Sequence, residues 1–148
     1  MIAIGSEYAG FKLKGEIMKY LDEIGVDYID CGCFSEENVD YPNIANEVVK
    51  KILNKECDKG ILICRSGIGM SIVANKFKGI RCSKVNSEEE ARMTRKDNDS
   101  NILALGADYN TVPEAIKIVR MWLATEFDGG RHERRLNLIK EIEDRNMK

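Results

Sequence analysis

The sequence lacks the features that would direct it to a membrane or to nucleic acid. No apolar run approaches the roughly 20 residues that a helix needs to cross a bilayer. No polybasic run is present, and the formal net charge is only −2 over 148 residues, which argues against DNA, RNA or an anionic lipid surface as a partner. The opening stretch MIAIGSEYAG has no charged region before its apolar residues, so we expect no signal peptide.

Cysteine patterns of disulfide scaffolds and zinc sites are also missing. The five cysteines are an odd number in a chain without an export signal, which predicts reduced thiols and a cytoplasmic protein. Cys31 and Cys33 stand one residue closer than a redox CxxC pair, and no second pair or nearby histidine completes a zinc site. We therefore expect no metal, and attribute these two cysteines to packing or to chance.

Linkers, internal repeats and low-complexity segments are absent, and the chain has only two prolines. Hydrophobic residues make up 43% and charged residues 32%, which is ordinary for a globular protein. A chain of 148 residues is long enough for one domain with a substantial core. We therefore predict a single domain over residues 1–148.

Short apolar runs alternate with segments whose apolar residues recur at helical spacing. Strands are predicted at 1–5, 26–30, 60–64, 79–85 and 101–106. Helices are predicted at 11–24, 42–53, from the glycine turn to about 76, at 87–97, 115–123 and 132–146. Capping boxes at Ser87/Glu90 and Thr111/Glu114 support two of these helices. This alternation predicts an α/β, doubly wound (Rossmann-like) domain, with a five-stranded parallel sheet, helices on both faces and a C-terminal tail helix.

Ligands of doubly wound sheets bind beyond the carboxyl ends of the strands. Four segments are therefore expected to meet at one site: residues 6–9, the loop near Tyr41, residues 64–71, and the region of Asp97 and Asn98. The last pair stands just before the strand NILALG.

The segment CRSGIGMS, residues 64–71, joins a buried strand to a helix through a glycine-rich turn. Backbone N–H groups in such a turn can hold a phosphate. The turn lacks the lysine of a Walker loop, and Ile72 stands where the third glycine of a dinucleotide-binding turn belongs. Cys64 directly precedes these N–H donors, so it could act as a thiolate base while the donors stabilise an oxyanion. The alternative is a buried cysteine at a tight packing corner.

The stretch GILICRSGIGMSIVANKFKGIR closely resembles the ribose-5-phosphate isomerase B family, which includes the galactose-6-phosphate isomerase subunits. Other segments match the family in the same order, so that the resemblance covers nearly the whole chain: GSEYAGFKLK, DYP at 40–42, NDSNILALGA and FDGGRHERR.

This resemblance implies an aldose–ketose isomerase that works through an enediolate without metal or organic cofactor. Ribose 5-phosphate, a substrate of the pentose phosphate pathway, is then the expected sugar. Cys64 matches the proton-moving base, Ser66 the residue that assists ring opening, and Asn98 a substrate contact. Arg131 and Arg135 match the arginines that hold phosphate. The family's anion hole is matched by Gly67, Ile68, Gly69, Met70 and Ser71. Family members are dimers or tetramers whose sites draw on two subunits, so a homodimer or homotetramer is expected.

The chain also departs from the family pattern. Glu7 and Tyr8 stand where the family usually has Asp-His, and both are candidate substrate contacts, as is Tyr41. Asp97 replaces a ring-opening histidine, and could serve if burial raised its pKa, or as a base with Tyr8 or Ser66 supplying a proton.

Two further departures change the charge near the thiol. Asp108 replaces a phosphate-binding arginine, and Arg65 replaces a glycine beside the base. We expect Arg65 to favour the thiolate of Cys64 and to replace the positive charge lost at Asp108. The alternative is that the Arg65 side chain simply points to solvent.

Several alternatives remain open from the sequence. Glu7 and Tyr8 could be structural loop residues, and Arg131 and Arg135 could form a solvated basic helix face. Three functions are compatible with the residues: an isomerase of a pentose or hexose phosphate, an isomerase of a different or unphosphorylated sugar, and a non-catalytic sugar-phosphate binder.

Overall fold

The computed structural model describes residues 1–34 and 40–147. Its five strands are β1 (Ile2–Ser6), β2 (Tyr28–Asp30), β3 (Lys59–Cys64), β4 (Cys82–Lys84) and β5 (Ile102–Gly106). Within the same ranges the helices are α1 (Phe11–Glu23), α2 (Tyr41–Leu53), α3 (Ile68–Ala74), α4 (Glu88–Asn98), α5 (Val112–Ala124) and α6 (Arg131–Asn146), with a short 3-10 turn at Tyr8–Gly10.

All strand pairs are parallel, and the strand order is β2-β1-β3-β5-β4. The predicted five-stranded doubly wound fold is therefore confirmed. Register brings Ser6 of β1 beside Ile63, and Cys64 beside Gly106 of β5. The carboxyl ends of the three central strands thus meet at one edge of the sheet, and Cys64 lies in the middle of that edge.

Two apolar layers sandwich the sheet. On one face, α1, α4 and α5 pack around a core that includes Ile17, Ile61, Leu103 and Trp122. On the other face, α2 and α3 cover a second core that contains Val48, Leu62, Met70 and Cys64. Alternate residues of β3 enter the two cores because side chains of a strand point to opposite faces in turn.

Trp122 and Lys14 are the largest side chains that the fold buries completely. The indole Nε1 of Trp122 donates to Ser100 Oγ at 2.9 Å, which satisfies its only polar atom. The ammonium group of Lys14 donates to Asp30 Oδ1 at 2.7 Å and to the carbonyl oxygen of Cys33. The buried lysine thereby ties α1 to the loop that leaves β2.

The two predicted capping boxes differ in outcome. At α5, Thr111 Oγ1 accepts from the Glu114 N–H and the Glu114 carboxylate accepts from the Thr111 N–H, so this box is confirmed. At α4, Ser87 Oγ accepts from the Glu90 N–H at 3.1 Å. The Glu90 carboxylate instead accepts from the Asn86 N–H at 2.7 Å, so the reciprocal half of the second box is wrong by one residue.

Segment ends also differ from the sequence patterns. β2 and β4 span three residues each, because each lies at an edge of the sheet and pairs with a single neighbour. α3 ends at Ala74 rather than near residue 76. The next residue, Asn75, bonds to β4 through its side chain. It donates to the Cys82 carbonyl at 3.0 Å and accepts from the Cys82 N–H at 2.8 Å.

The tail helix α6 is the least enclosed element. None of its described residues is buried, and Leu138, Ile139 and Ile142 are each more than two-fifths exposed. Glu143 accepts a hydrogen bond from the Gly79 N–H at 2.9 Å, which holds α6 against the loop before β4. Among the described residues, no helix is long and apolar enough to span a membrane.

Candidate active site

Cys64 ends β3 with its thiol 3.1 Å from the N–H of Gly67, which donates to the sulfur. Gly67 has a φ of +82°, a left-handed conformation that turns this N–H back toward the strand end. A Cβ atom at Gly67 would also lie 3.0 Å from the Leu105 carbonyl carbon. The glycine is therefore needed both for the turn and for its close approach to β5.

A cavity of about 380 Å³ opens at the thiol. It is lined by Glu7, Tyr41, Cys64, Arg65, Ser66, Ile68 and Gly69. A larger groove of about 580 Å³ lies between α6 and the loop before β4, but it contains neither the thiol nor the glycine turn. The smaller cavity is the candidate active site because it combines a nucleophile, backbone donors and a carboxylate.

The glycine turn divides its N–H groups between internal and outward roles. Gly67 donates to Cys64, Ile68 donates to Ser66 Oγ at 3.2 Å, and Ser71 donates to the Gly67 carbonyl at 3.2 Å. The N–H groups of Gly69 and Met70 belong to the first turn of α3, where a helix has no acceptor of its own to offer. Only Gly69 of these two also lines the cavity, so among the five predicted anion-hole residues its N–H group is the best placed to receive a ligand.

Three predicted contacts differ in their surroundings. The Tyr41 ring lies against Gly69, since a Cβ there would be 2.7–2.8 Å from its ring atoms. Met70 is fully buried in the second core and does not belong to the residues that line the cavity. Tyr8 is 40% exposed in the 3-10 turn, outside the residues that line the cavity.

Glu7 carries an unusual carboxyl group. Its Oε1 atom is buried and has no hydrogen-bond partner among the described residues. Burial raises the pKa of Glu7, while the backbone N–H groups of Ala9 and Gly10 and the charge of Arg65 oppose that shift. A carboxyl with a raised pKa in a cavity with a thiol is a candidate for proton transfer.

Arg65 forms an ion pair with Asp108 at the mouth of the cavity. Nε lies 3.4 Å from Oδ2, and the two side chains are 68% and 53% exposed. The Asp108 N–H also donates to the Arg65 carbonyl at 3.0 Å. The two residues that depart from the family pattern are therefore partners, and the guanidinium neither points freely to solvent nor offers an unpaired charge.

The remaining predicted residues lie at the opposite edge of the sheet. Asp97 and Asn98 end α4, and the chain then enters the amino end of β5. The expectation that they meet Cys64 within one chain is wrong, because residues that precede a parallel strand lie at the edge away from its carboxyl end. Arg131 and Arg135 begin α6 and are exposed. The two arginines lie in the same region as Asp97 and Asn98, because their neighbour His132 contacts Asp97.

That contact brings in a residue to which the sequence assigned no role. His132 Nε2 lies 3.4 Å from Asp97 Oδ1, and the imidazole is only 14% exposed. The only histidine of the chain thus lies beside the position where the family usually carries one. Thirty-four residues separate the two in sequence, so no spacing pattern could have paired them. The five cysteines are free, and no group of three or more potential metal ligands occurs in the described part of the chain.

Comparisons with known proteins show the family to which the chain belongs. The family described as Ribose/Galactose Isomerase matches residues 2–139. Ribose-5-phosphate isomerase B of Escherichia coli is 44% identical over 144 residues, covering 97% of each chain. A putative sugar phosphate isomerase of Bacillus subtilis is 45% identical over 147 residues, covering 99% of each.

Solved structures extend the likeness to three dimensions. Ribose-5-phosphate isomerase B of Clostridium thermocellum superposes with a TM-score of 0.96 at 45% identity, covering 97% of each chain. The Mycoplasma genitalium enzyme, solved with bound ribulose 5-phosphate, gives a TM-score of 0.91 at 38% identity and covers 97% of this chain and 95% of that one.

Fold and site together define an α/β isomerase domain with a thiol at the carboxyl edge of its sheet. The chain belongs to the ribose/galactose isomerase family. Its full-length likeness to ribose-5-phosphate isomerases B makes it an aldose–ketose isomerase of that type.

Proposed function

We propose that the protein interconverts ribose 5-phosphate and ribulose 5-phosphate, with Cys64 as the base that moves the proton. The observation that carries this proposal is the thiol at the end of β3, which accepts an N–H from the glycine turn and opens into a cavity. The thiolate is the proton-accepting form of a cysteine. The ribulose 5-phosphate bound to the Mycoplasma genitalium relative supports the choice of sugar.

In this mechanism the thiolate of Cys64 takes the proton from C2 of the open-chain aldose, which leaves an enediolate. The N–H group of Gly69, on the cavity wall, stabilises the negative charge on its oxygen. Once the O2 proton has moved to O1, the thiol returns the carbon-bound proton to C1, which gives the ketose and restores the thiolate. Ser66 Oγ, on the wall of the cavity, assists ring opening of the bound furanose.

Phosphate binding in this proposal comes from a second copy of the chain. Arg131 and Arg135 lie with Asp97 and Asn98 at the edge opposite Cys64, so one chain cannot bring both groups to one substrate. The exposed apolar residues of α6 supply a surface that association would cover. We therefore infer a homodimer or homotetramer. In it, the Cys64 cavity of one chain is completed by the partner chain, which supplies Asp97, Asn98, Arg131 and Arg135. The five free cysteines support a cytoplasmic location.

A different sugar is the second candidate, because the cavity mouth carries the Arg65–Asp108 pair and Glu7. These groups could select a hexose phosphate or an unphosphorylated sugar. A panel of ribose 5-phosphate, allose 6-phosphate, galactose 6-phosphate and the free sugars, assayed for kcat/KM, separates the candidates.

The test of the base is Cys64→Ala, measured on the preferred sugar of that panel. Proton transfer by a positioned group contributes about 10²- to 10⁴-fold, so kcat should fall at least that far while the sugar still binds. Cys57→Ala is the matched control, since Cys57 is a buried thiol of the same core, before β3. Near-normal turnover of the Cys64 variant would refute the assignment of the base. If the wild-type protein binds the sugar but does not turn it over, the non-catalytic binder is favoured.

A further inference from the structure

Among the described residues that line the cavity, Glu7 is the one carboxylate, and it follows directly after β1. Register places the end of β1 beside the end of β3, so Glu7 and Cys64 stand on neighbouring strands at the same edge. The Glu7 N–H donates to the Ile63 carbonyl at 3.2 Å, which fixes the backbone of Glu7 against the strand that presents the thiol.

The fold uses the Glu7 carboxylate only in part, through hydrogen bonds from the backbone N–H groups of Ala9 and Gly10. Buried polar atoms are nearly always hydrogen-bonded, and a buried carboxyl oxygen without a partner calls for a specific explanation. Oε1 has no partner among the described residues, although Glu7 lines a cavity large enough for a sugar. A ligand hydroxyl or carbonyl is the group that would satisfy this oxygen.

The charged groups around Glu7 leave its protonation open to catalysis. Arg65 lowers its pKa and Asp108 raises it, but these two are paired with each other at the mouth. Burial is the largest influence and raises the pKa of Glu7. Of the described residues that line the cavity, Cys64, Arg65 and Tyr41 are the other titratable groups. The neutral carboxyl is therefore more accessible here than on the surface, and a neutral carboxyl can donate a hydrogen bond.

We propose that Glu7 is a second catalytic group, which moves the oxygen-bound proton while Cys64 moves the carbon-bound one. This inference rests on the proposed isomerase function and deepens it. Conversion of an aldose to a ketose requires two proton movements, from C2 to C1 and from O2 to O1. A single thiol accounts only for the first.

Both protons are accounted for by Glu7 and Cys64. The thiolate of Cys64 takes the C2 proton to give the enediolate, and neutral Glu7 then gives its proton to O1, so that an enediol results. The Glu7 carboxylate then takes the proton from O2 as the Cys64 thiol delivers its proton to C1. The ketose leaves with every proton it needs, and the site returns to thiolate and neutral carboxyl. No redox partner is involved.

The test compares Glu7→Gln and Glu7→Asp in the full-length chain, with kcat and KM measured in both directions. Glutamine keeps the size of the side chain but cannot exchange a proton, so kcat should fall about 10²-fold or more with KM changed only a few-fold. Aspartate keeps the carboxyl and should recover at least about tenfold of that loss. Glu23→Gln is the control, because Glu23 is an exposed carboxylate at the far end of α1.

The outcomes separate this inference from the proposed function. A raised KM with normal kcat in Glu7→Gln would make Glu7 a binding contact only and overturn the inference. So would an aspartate variant no more active than the glutamine one. The rate at which iodoacetamide alkylates Cys64 should stay near wild type in both variants, which shows that the site is folded. A wild-type protein that isomerises no sugar would instead refute the proposed function, and this inference with it.

Discussion

Arg65 Nε lies 3.4 Å from Asp108 Oδ2, and this pair bridges the loops that follow β3 and β5. Arg65 lines the cavity, yet an exposed ion pair of this kind contributes only about 0–1 kcal/mol to stability. Its consequence is therefore electrostatic: Asp108 draws the guanidinium toward itself and away from an incoming phosphate.

Breaking the pair from each side should move substrate affinity in opposite directions. Asp108→Asn removes the competing carboxylate, so KM for a sugar phosphate should fall, whereas Arg65→Gly should raise it. Steady-state kinetics at low and high salt measure both effects, because exposed charges are screened by ions. The double variant is the control, and should resemble Arg65→Gly. Equal KM values in all four proteins would show that the pair does not contact the substrate.

Gly106 should tolerate no side chain. A Cβ there would stand 2.6 Å from the Ser66 carbonyl oxygen, so Gly106→Ala must displace the turn that follows Cys64. We expect a loss of about 1–3 kcal/mol in the free energy of unfolding, with reduced kcat. Urea titration checks the first and turnover the second. Gly15→Ala is the matched control: Gly15 lies within α1 with nothing within 4 Å, so alanine should stabilise by up to about 1 kcal/mol.

The raised pKa of Glu7 predicts a pH-dependent stability difference. From its ordinary value of 4.5 upward to the raised value, the folded protein binds more protons at Glu7 than the unfolded chain does. Stability therefore falls as pH rises through that window, and the penalty persists above it. Glu7→Gln lacks this penalty, so its Tm relative to wild type should be higher at pH 7 than at pH 4. A difference that does not change with pH would contradict the prediction.

A site shared between subunits predicts complementation between inactive variants. Cys64→Ala and Arg135→Ala each damage a different half of the proposed site. When the two variants are mixed and allowed to reassociate, random pairing gives roughly half heterodimers. Each heterodimer has one intact site of two, so about a quarter of wild-type turnover should return. Assays before and after mixing measure this. No recovery from a mixture shown by native mass spectrometry to contain heterodimers would place the arginines outside the Cys64 site.

Much of this arrangement could be predicted from local patterns. Apolar runs and helical spacing identified the strands and helices, because burial on a sheet imposes those periods directly. The Thr111/Glu114 cap and the turn after Cys64 depend on neighbours within a few residues, so both could be predicted from the local sequence. The cavity-lining residues Glu7, Tyr41 and Arg65 followed from the rule that ligands meet the carboxyl ends of parallel strands.

Contacts between segments that are distant in the sequence could not be predicted from local patterns. Lys14 stands between Leu13 and Gly15 in α1, and the sequence gave no sign that Asp30 and the Cys33 carbonyl would enclose its ammonium group. The pairing of His132 with Asp97 depends on how α6 returns to the end of α4. Asp97 itself was assigned to the wrong edge, because the direction in which a helix rejoins the sheet decides its position.

The lone tryptophan gives the protein a built-in optical probe of its own folding. Trp122 belongs to the core on one face of the sheet, whereas Cys64 belongs to the core on the other. Its emission should therefore shift to longer wavelength when the chain unfolds and water reaches the indole. Sugar at the Cys64 cavity, behind the sheet, should leave that emission unchanged, so a single fluorescence trace can follow denaturation in the presence of substrate.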